Sequence, residues 1–310
     1  MGSPAFQDGV HVIRPIVIPF HGIRLARWIN RAITRHVILS KIPTDERQAF
    51  YSFSPITYGL EAAFKVHLYH SVDLLHEIEG LPRRALLRAE AAQVVRADAT
   101  AASSPVVHSH LSSLGGTPEY WPNVADVELF RCRPDEAGRH PTAVFAGHLT
   151  KSKVDVAILL AVAEKVPLRL AGPISVDGSR RDEQLSRLLG HSNVEYLGNL
   201  GQRDLARLLR MCTVGLIPYE LNAYTRGVLP MKVYEYMASG LAVISTALPS
   251  LRDTEGVSLG TNVGHFIQLV EQHIEVDGMQ ISAAESHAEG HSWERRIRQI
   301  EATLAAHLEA

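Results

Sequence analysis

The sequence predicts an α/β protein of two domains, each built on a parallel sheet. Three observations predict it. Between residues 142 and 246, short apolar strands alternate with amphipathic helical stretches. A similar but less regular alternation fills the first half of the chain. A polar stretch with one glycine and two prolines, RCRPDEAGRHP at 131–141, separates the two halves. At 310 residues the chain is long for one hydrophobic core and comfortable for two.

In order, the first half offers VHVIRPIVIP, AFYSFS, KVHLYHSV, ADATAAS and EYWPNV as strands. IRLARWINRAITRHV, ITYGLEAAF, RRALLRAEAAQVV and PVVHSHLSS fit between them as helices. The second half reads TAVFAG, PLRLAG, NVEYLG, TVGLIPY and LAVIST as strands. DVAILLAVAEK, RDEQLSRLLG, QRDLARLLRMC and PMKVYEYMASG are the intervening helices. Nearly continuous apolar strands between amphipathic helices mean a sheet covered on both faces. The tail HSWERRIRQIEATLAAHLEA is an amphipathic helix with no strand after it, expected to dock back on the first domain. The expected domains are 1–138, 139–278 and a C-terminal helical segment, 279–310.

Basic and acidic residues nearly balance, 31 against 33, so no global field favours nucleic acid. Only residues 1–50 lean basic. The cysteines, Cys132 and Cys212, suggest no disulfide framework, and the start MGSPAFQDGV lacks a signal-peptide layout. The expectation is a cytoplasmic protein, with attachment at the inner membrane face as an option. Neither GxGxxG nor GxxxxGK[ST] occurs, which disfavours hydride-transfer dinucleotide enzymes and P-loop ATPases.

The stretch RGVLPMKVYEYMASGLAVIST carries the sharpest chemical signal. Pro230 suits the first position of a helix and Gly240 the position just past its end. Lys232 falls in the first turn, where the macrodipole disfavours a cation by roughly 0.3–1 kcal/mol. A surface pair with Glu235 is one explanation, although Lys before Glu is the weaker order. A phosphate held by Lys232, Arg226 and the free N–H groups is the favoured one.

PYELNAYTRGVLPMKVYEYMASGLAVIST, with SNVEYLGNLGQRDLARLL before it, resembles the GT-B glycosyltransferases. The nearest group is that of teichuronic-acid-type, polysaccharide and natural-product sugar transferases. Weaker likeness extends to LYHSVDLLHEIEG, WPNVADVELF and SWERRIRQIEATLA. The resemblance implies two Rossmann-like domains facing a cleft, with the acceptor on the first and a nucleotide sugar on the second. It implies that Glu235 holds the ribose hydroxyls, and that Arg226, Leu229, Met231 and Lys232 lie along the diphosphate. It further implies that Gly147 and Gly172 end strands beside the donor, and that Leu197 and Asn199 lie beside the base.

The sequence departs from the family in three places. Many retaining members carry a sugar-contacting glutamate where this chain has Gly227. Their Arg and Lys after the first glycine of the domain are replaced by His148 and by Lys153 or Lys151. The family's opening strand-turn-helix unit is missing ahead of VHVIRPIVIP, so an incomplete first domain is expected.

In the first half, His70 and Asp73 lie at the carboxyl end of the strand KVHLYHSV, and either could take a proton from an acceptor hydroxyl. Capping a helix is the ordinary alternative for Asp73. The 16 histidines read as scattered surface or core residues without metal-ligand spacing, and the GT-B resemblance implies that neither metal nor cofactor is needed. Arg24, Arg27, Arg31 and Arg35 recur at helical spacing and could meet an anionic lipid or acceptor; a solvated helix face is the plainer reading. The functional expectation is sugar transfer from a nucleoside diphosphate sugar to a hydroxyl of a polysaccharide, glycolipid or natural product. A catalytically incomplete binding homologue and a sugar-nucleotide epimerase are the alternatives.

Overall fold

A computed structural model describes residues 6–7, 10–19, 23–132, 138–150, 152–174, 183–275 and 287–309. The chain divides into two compact units. The first comprises Met1–Ser103, Val107–Tyr120 and Ile300–Ala310; the second comprises Ser104–Val106 and Trp121–Gln299.

The first unit is built on a parallel sheet in the order β3 (Ala49–Ser52), β4 (Val66–Ser71), β5 (Ala99–Ala102), β6 (Glu119–Tyr120). Its helices are α1 (Arg24–Leu39), α2 (Arg83–Arg96) and α3 (Pro105–Ser113). Two expectations are corrected here. Of VHVIRPIVIP only Val10–His11 (β2) is a strand, and it pairs antiparallel with Phe6–Gln7 (β1), outside the main sheet. Pro15 and Pro19 cannot donate to a ladder, and the Asn30 side chain takes both the Ile18 amide (2.7 Å) and its carbonyl (2.8 Å). ITYGLEAAF is not a helix but a turn running into a short 3-10 helix, Glu61–Ala63. Tyr58 (φ 56°) and Gly59 (φ 73°) are left-handed there, which stops any helix.

The second unit holds a six-stranded, wholly parallel sheet. Its order is β12 (Val257–Gly260), β11 (Ala242–Thr246), β10 (Val214–Ile217), β7 (Ala143–Ala146), β8 (Leu168–Ala171), β9 (Val194–Tyr196). The helices are α4 (Val127–Phe130), α5 (Val156–Ala163), α6 (Glu183–Leu189), α7 (Gln202–Arg210), α8 (Lys232–Ala238) and α9 (Val263–Ile274). α10 (Trp293–Leu308) closes the chain. All five strands and four helices expected here are present. The sequence reading left out β12, a strand of four residues behind the left-handed Gly256, and α9 after it.

Of the stretch 131–141, the described residues 131–132 and 138–141 belong to the second unit. The reason is local: Phe130 is buried in this core, and the Cys132 amide donates to the Ala238 carbonyl at 3.0 Å. Arg139 donates to the carbonyls of Gly240 (2.7 Å) and Ser239 (2.6 Å). Residues 133–137 lie outside the described residues.

Candidate functional site

The strand order of the second unit reverses between β7 and β10, since β8 and β9 follow on one side and β11 and β12 on the other. Ligands in open α/β sheets bind outside the carboxyl ends of the strands at such a switch point. Here the two loops leaving that point are stitched together. The Asp155 amide donates to the Pro218 carbonyl (2.8 Å) and the Glu220 amide to the Lys153 carbonyl (3.0 Å), around a Val154–Tyr219 bridge. Asn222 adds its side-chain amide to the Ser152 carbonyl at 2.8 Å.

A glycine follows within two residues of the end of three adjacent strands, β7, β8 and β9. The Gly147 amide donates to Ala171 and the Gly172 amide to Gly198, both at 2.7 Å. A Cβ on Gly172 (φ 125°) would stand 2.2 Å from the Gly147 carbonyl oxygen, so no larger residue fits without moving the backbone. A Cβ on Gly147 would stand 2.4 Å from Lys232 Cε and 2.6 Å from its Nζ. Lys232 thus occupies the space that a side chain at Gly147 would need, and its ammonium lies against bare backbone at the end of β7.

Helix α8 holds that lysine in place. Tyr236, four residues on and on the same face, packs its ring where a side chain at Gly215 would be. Its hydroxyl accepts from the Ala146 amide at 2.9 Å. The chain entering the helix is tied down carbonyl by carbonyl. Ser104 Oγ donates to Gly227 (2.7 Å), Ser250 Oγ to Val228 (2.6 Å) and Asn123 Nδ2 to Leu229 (2.5 Å). The helix begins at Lys232, two residues after Pro230, and no side chain caps it.

Charge is concentrated at this point without being neutralised by hydrogen bonds. Lys232 Nζ reaches the Tyr219 hydroxyl at 3.5 Å, and Lys153 Nζ lies 4.9 Å from the centre of the same ring. Burial pushes the Lys232 ammonium below the usual lysine range, with Glu235 pulling it back only in part. Burial likewise pushes the Glu235 carboxyl up, opposed by Lys232. Among the described residues, no hydrogen bond to the Glu235 carboxylate is formed.

The structure therefore brings together Gly147, Gly172, Lys153, Lys232 and Glu235 of the expected donor residues. Leu229 is buried and contributes its tied backbone; Met231 is exposed beside Lys232. His148 is exposed directly after Gly147. Leu197 is half-buried and Asn199 exposed on the far side of β8, flanking Gly198. Arg226 is exposed on the 3-10 turn Thr225–Gly227, and its guanidinium makes no hydrogen bond among the described residues. Lys151 lies outside the described residues. Tyr219 was not foreseen from sequence; only its position just after a strand at the switch point marks it.

In the first unit, His70 is corrected. It is only 2% exposed, its Nδ1 is 2.7 Å from the Tyr51 hydroxyl, and its ring lies against Tyr51 and Phe53. It is packed as a core histidine rather than presented to an acceptor. Asp73 is half-buried in the turn after β4, and the 3-10 helix Leu75–Glu77 that follows has no side-chain cap.

Residues 140–275 match the family model "Glycosyl transferases group 1". That match lies within the second unit and covers less than half of the chain. TuaH of Bacillus subtilis (strain 168), named as a teichuronic acid biosynthesis glycosyltransferase, is 25% identical over 213 residues, 65% of this chain. The chain spans about half the length of that relative, 53% being matched. Sucrose-phosphate synthase from Thermosynechococcus elongatus superposes with a TM-score of 0.74 at 17% identity, covering 97% of this chain and 85% of its own. Anabaena HepE, solved in complex with UDP, superposes at 0.69 and 16% identity, covering 90% and 84%. The chain accordingly has the GT-B fold. Among its described residues, no helix is long and apolar enough to cross a membrane.

Proposed function

We propose that this protein is a glycosyltransferase that moves a sugar from a nucleoside diphosphate sugar to a hydroxyl acceptor. One observation carries the reading: a half-buried lysine that Glu235 offsets only in part, and a carboxylate with no hydrogen bond among the described residues, stand at the glycine-lined switch point of the domain that matches the group 1 model. A diphosphate would supply the anion that Lys232 lacks, and charge developing on the leaving diphosphate would be stabilised where water is scarce. Glu235 can accept from two ribose hydroxyls at once. Lys153 and Arg226 add positive charge at the loops, and Asp73 is the candidate to receive the acceptor's proton. No step requires a metal or cofactor at this site. Calorimetric titration with UDP, GDP and TDP tests the reading. Saturable binding of one of them is expected, followed by donor-dependent transfer to a hydroxyl acceptor; no binding of any would overturn it.

The acceptor side carries its own signal. α1 buries Ala26, Asn30 and Thr34 and exposes Leu25 and Trp28. Arg24, Arg27 and Arg31 line a cavity of about 1290 Å³ in the first unit, facing Arg83, Arg88 and Arg96 of α2. Arg35 is drawn inward to the Gly59 carbonyl. An exposed tryptophan and leucine among arginines suit the headgroup region of an anionic bilayer, which would place the enzyme peripherally on a cytoplasmic membrane face. Trp28 fluorescence should shift to the blue with anionic but not zwitterionic vesicles. Replacing Arg24 and Arg27 with glutamine should weaken that binding by about 2 kcal/mol, roughly 30-fold.

A further inference from the structure

Away from the donor residues, the first unit gathers His76, Glu90 and His110 from three separate segments. His76 sits in the 3-10 helix after β4, Glu90 in the middle of α2, and His110 near the end of α3. One ligand atom from each lies within 4.8 Å of the others. Glu90 Oε2 is 2.9 Å from His110 Nε2 and 3.6 Å from His76 Nδ1. Ligands about 2.0–2.1 Å from a tetrahedral zinc are spaced by about 3.3 Å, between those two values. We propose that these three side chains form a binding site for a divalent transition metal, with zinc the expected ion.

A hydrogen-bonded His110–Glu90 pair by itself accounts for only part of this arrangement. His76 Nδ1 is buried and has no hydrogen-bond partner among the described residues, although its ring centre is 4.6 Å from that of His110. A buried imidazole nitrogen aimed at a carboxylate oxygen, yet too far to bond it, is satisfied by an ion between them. Two imidazoles and one carboxylate are also a recurrent zinc donor set, with water in the fourth position.

The surroundings have the form of an outer shell, which fixes ligands and their protonation. Glu90 Oε1 accepts from the Tyr69 and Ser71 hydroxyls, each at 2.9 Å, leaving Oε2 to face the histidines. The other nitrogen of His76, Nε2, is 3.4 Å from Glu77 Oε1, and Arg83 holds that carboxylate at 2.7 Å. The ion would tie the turn after β4 to α2 and α3, three residues from Asp73.

The test uses the full chain stripped with EDTA and titrated with Zn²⁺ against a chromophoric chelator. One ion per chain is expected. His76→Gln should weaken binding by more than the roughly 10–100-fold expected for Glu77→Gln, while exposed His307→Gln should leave it unchanged. Absence of saturable binding, or equal binding by His76→Gln, would overturn the proposal and leave a hydrogen-bonded pair. If the His76 variant does not fold, Co²⁺ added to the wild-type chain decides. Intense visible bands of a tetrahedral site support the proposal, and a weak six-coordinate spectrum sinks it.

Discussion

Lys232→Met should abolish most donor turnover while leaving the protein as stable as before, or more so. The methionine keeps the stem that lies against Gly147 and removes the half-buried ammonium. If the lysine stabilises charge on the departing diphosphate, its loss costs about 2.7–4 kcal/mol, or 10²–10³ in kcat. The folded protein meanwhile loses an unfavourable desolvated cation, so Tm should hold or rise. The pH dependence follows from the lowered Lys232 pKa. The folded state releases this proton before the unfolded state does, so between the lowered and ordinary values the unfolded chain binds more protons. Stability therefore rises with pH across that window, and the variant should lose this slope. A bound diphosphate restores the charge, so UDP binding should take up a proton and weaken as pH climbs past the lowered value. Calorimetry in buffers of different ionisation enthalpy measures the uptake. A Lys232→Met protein that turns over normally would remove the lysine from the mechanism.

How much of this site the sequence disclosed depends on how local each feature is. The helix of Lys232 and Glu235 was legible because its proline, its glycine and its misplaced cation lie within one short stretch. The strands leading to Gly147, Gly172 and Gly198 were legible as strands, but not that Gly172 must admit the Gly147 carbonyl, since that contact depends on the alignment of neighbouring strands. Tyr219 between two lysines was hidden for the same reason. The metal cluster was invisible: His76, Glu90 and His110 share no spacing, and only the packing of α2 and α3 behind β4 gathers them. VHVIRPIVIP misled because alternation of apolar residues says nothing of whether a neighbouring strand exists to pair with. His70 misleads because a polar residue near a strand's end reads as exposed, whereas Tyr51 meets its ring nitrogen inside the fold.

Glu235→Gln separates the two halves of the donor grip. If Glu235 binds ribose and Lys232 binds diphosphate, the glutamate variant should lose UDP affinity but retain affinity for pyrophosphate, whereas Lys232→Met should lose both. Hydrogen bonds to a charged group contribute about 1.5–3 kcal/mol, so the expected loss for UDP is about 10–150-fold. Glutamine keeps the shape and one acceptor, which makes the loss a measure of charge rather than of packing. The raised Glu235 pKa supplies an independent check. The folded state holds this proton more tightly than the unfolded state, so its contribution to stability is complete below the ordinary carboxylate value. It falls as pH rises to the raised value. Glu235→Gln should remove that fall, giving a variant relatively more stable near neutral pH and weaker for UDP. Equal losses of UDP and pyrophosphate would mean that Glu235 acts through Lys232, fixing the ammonium, and that the ribose is held elsewhere.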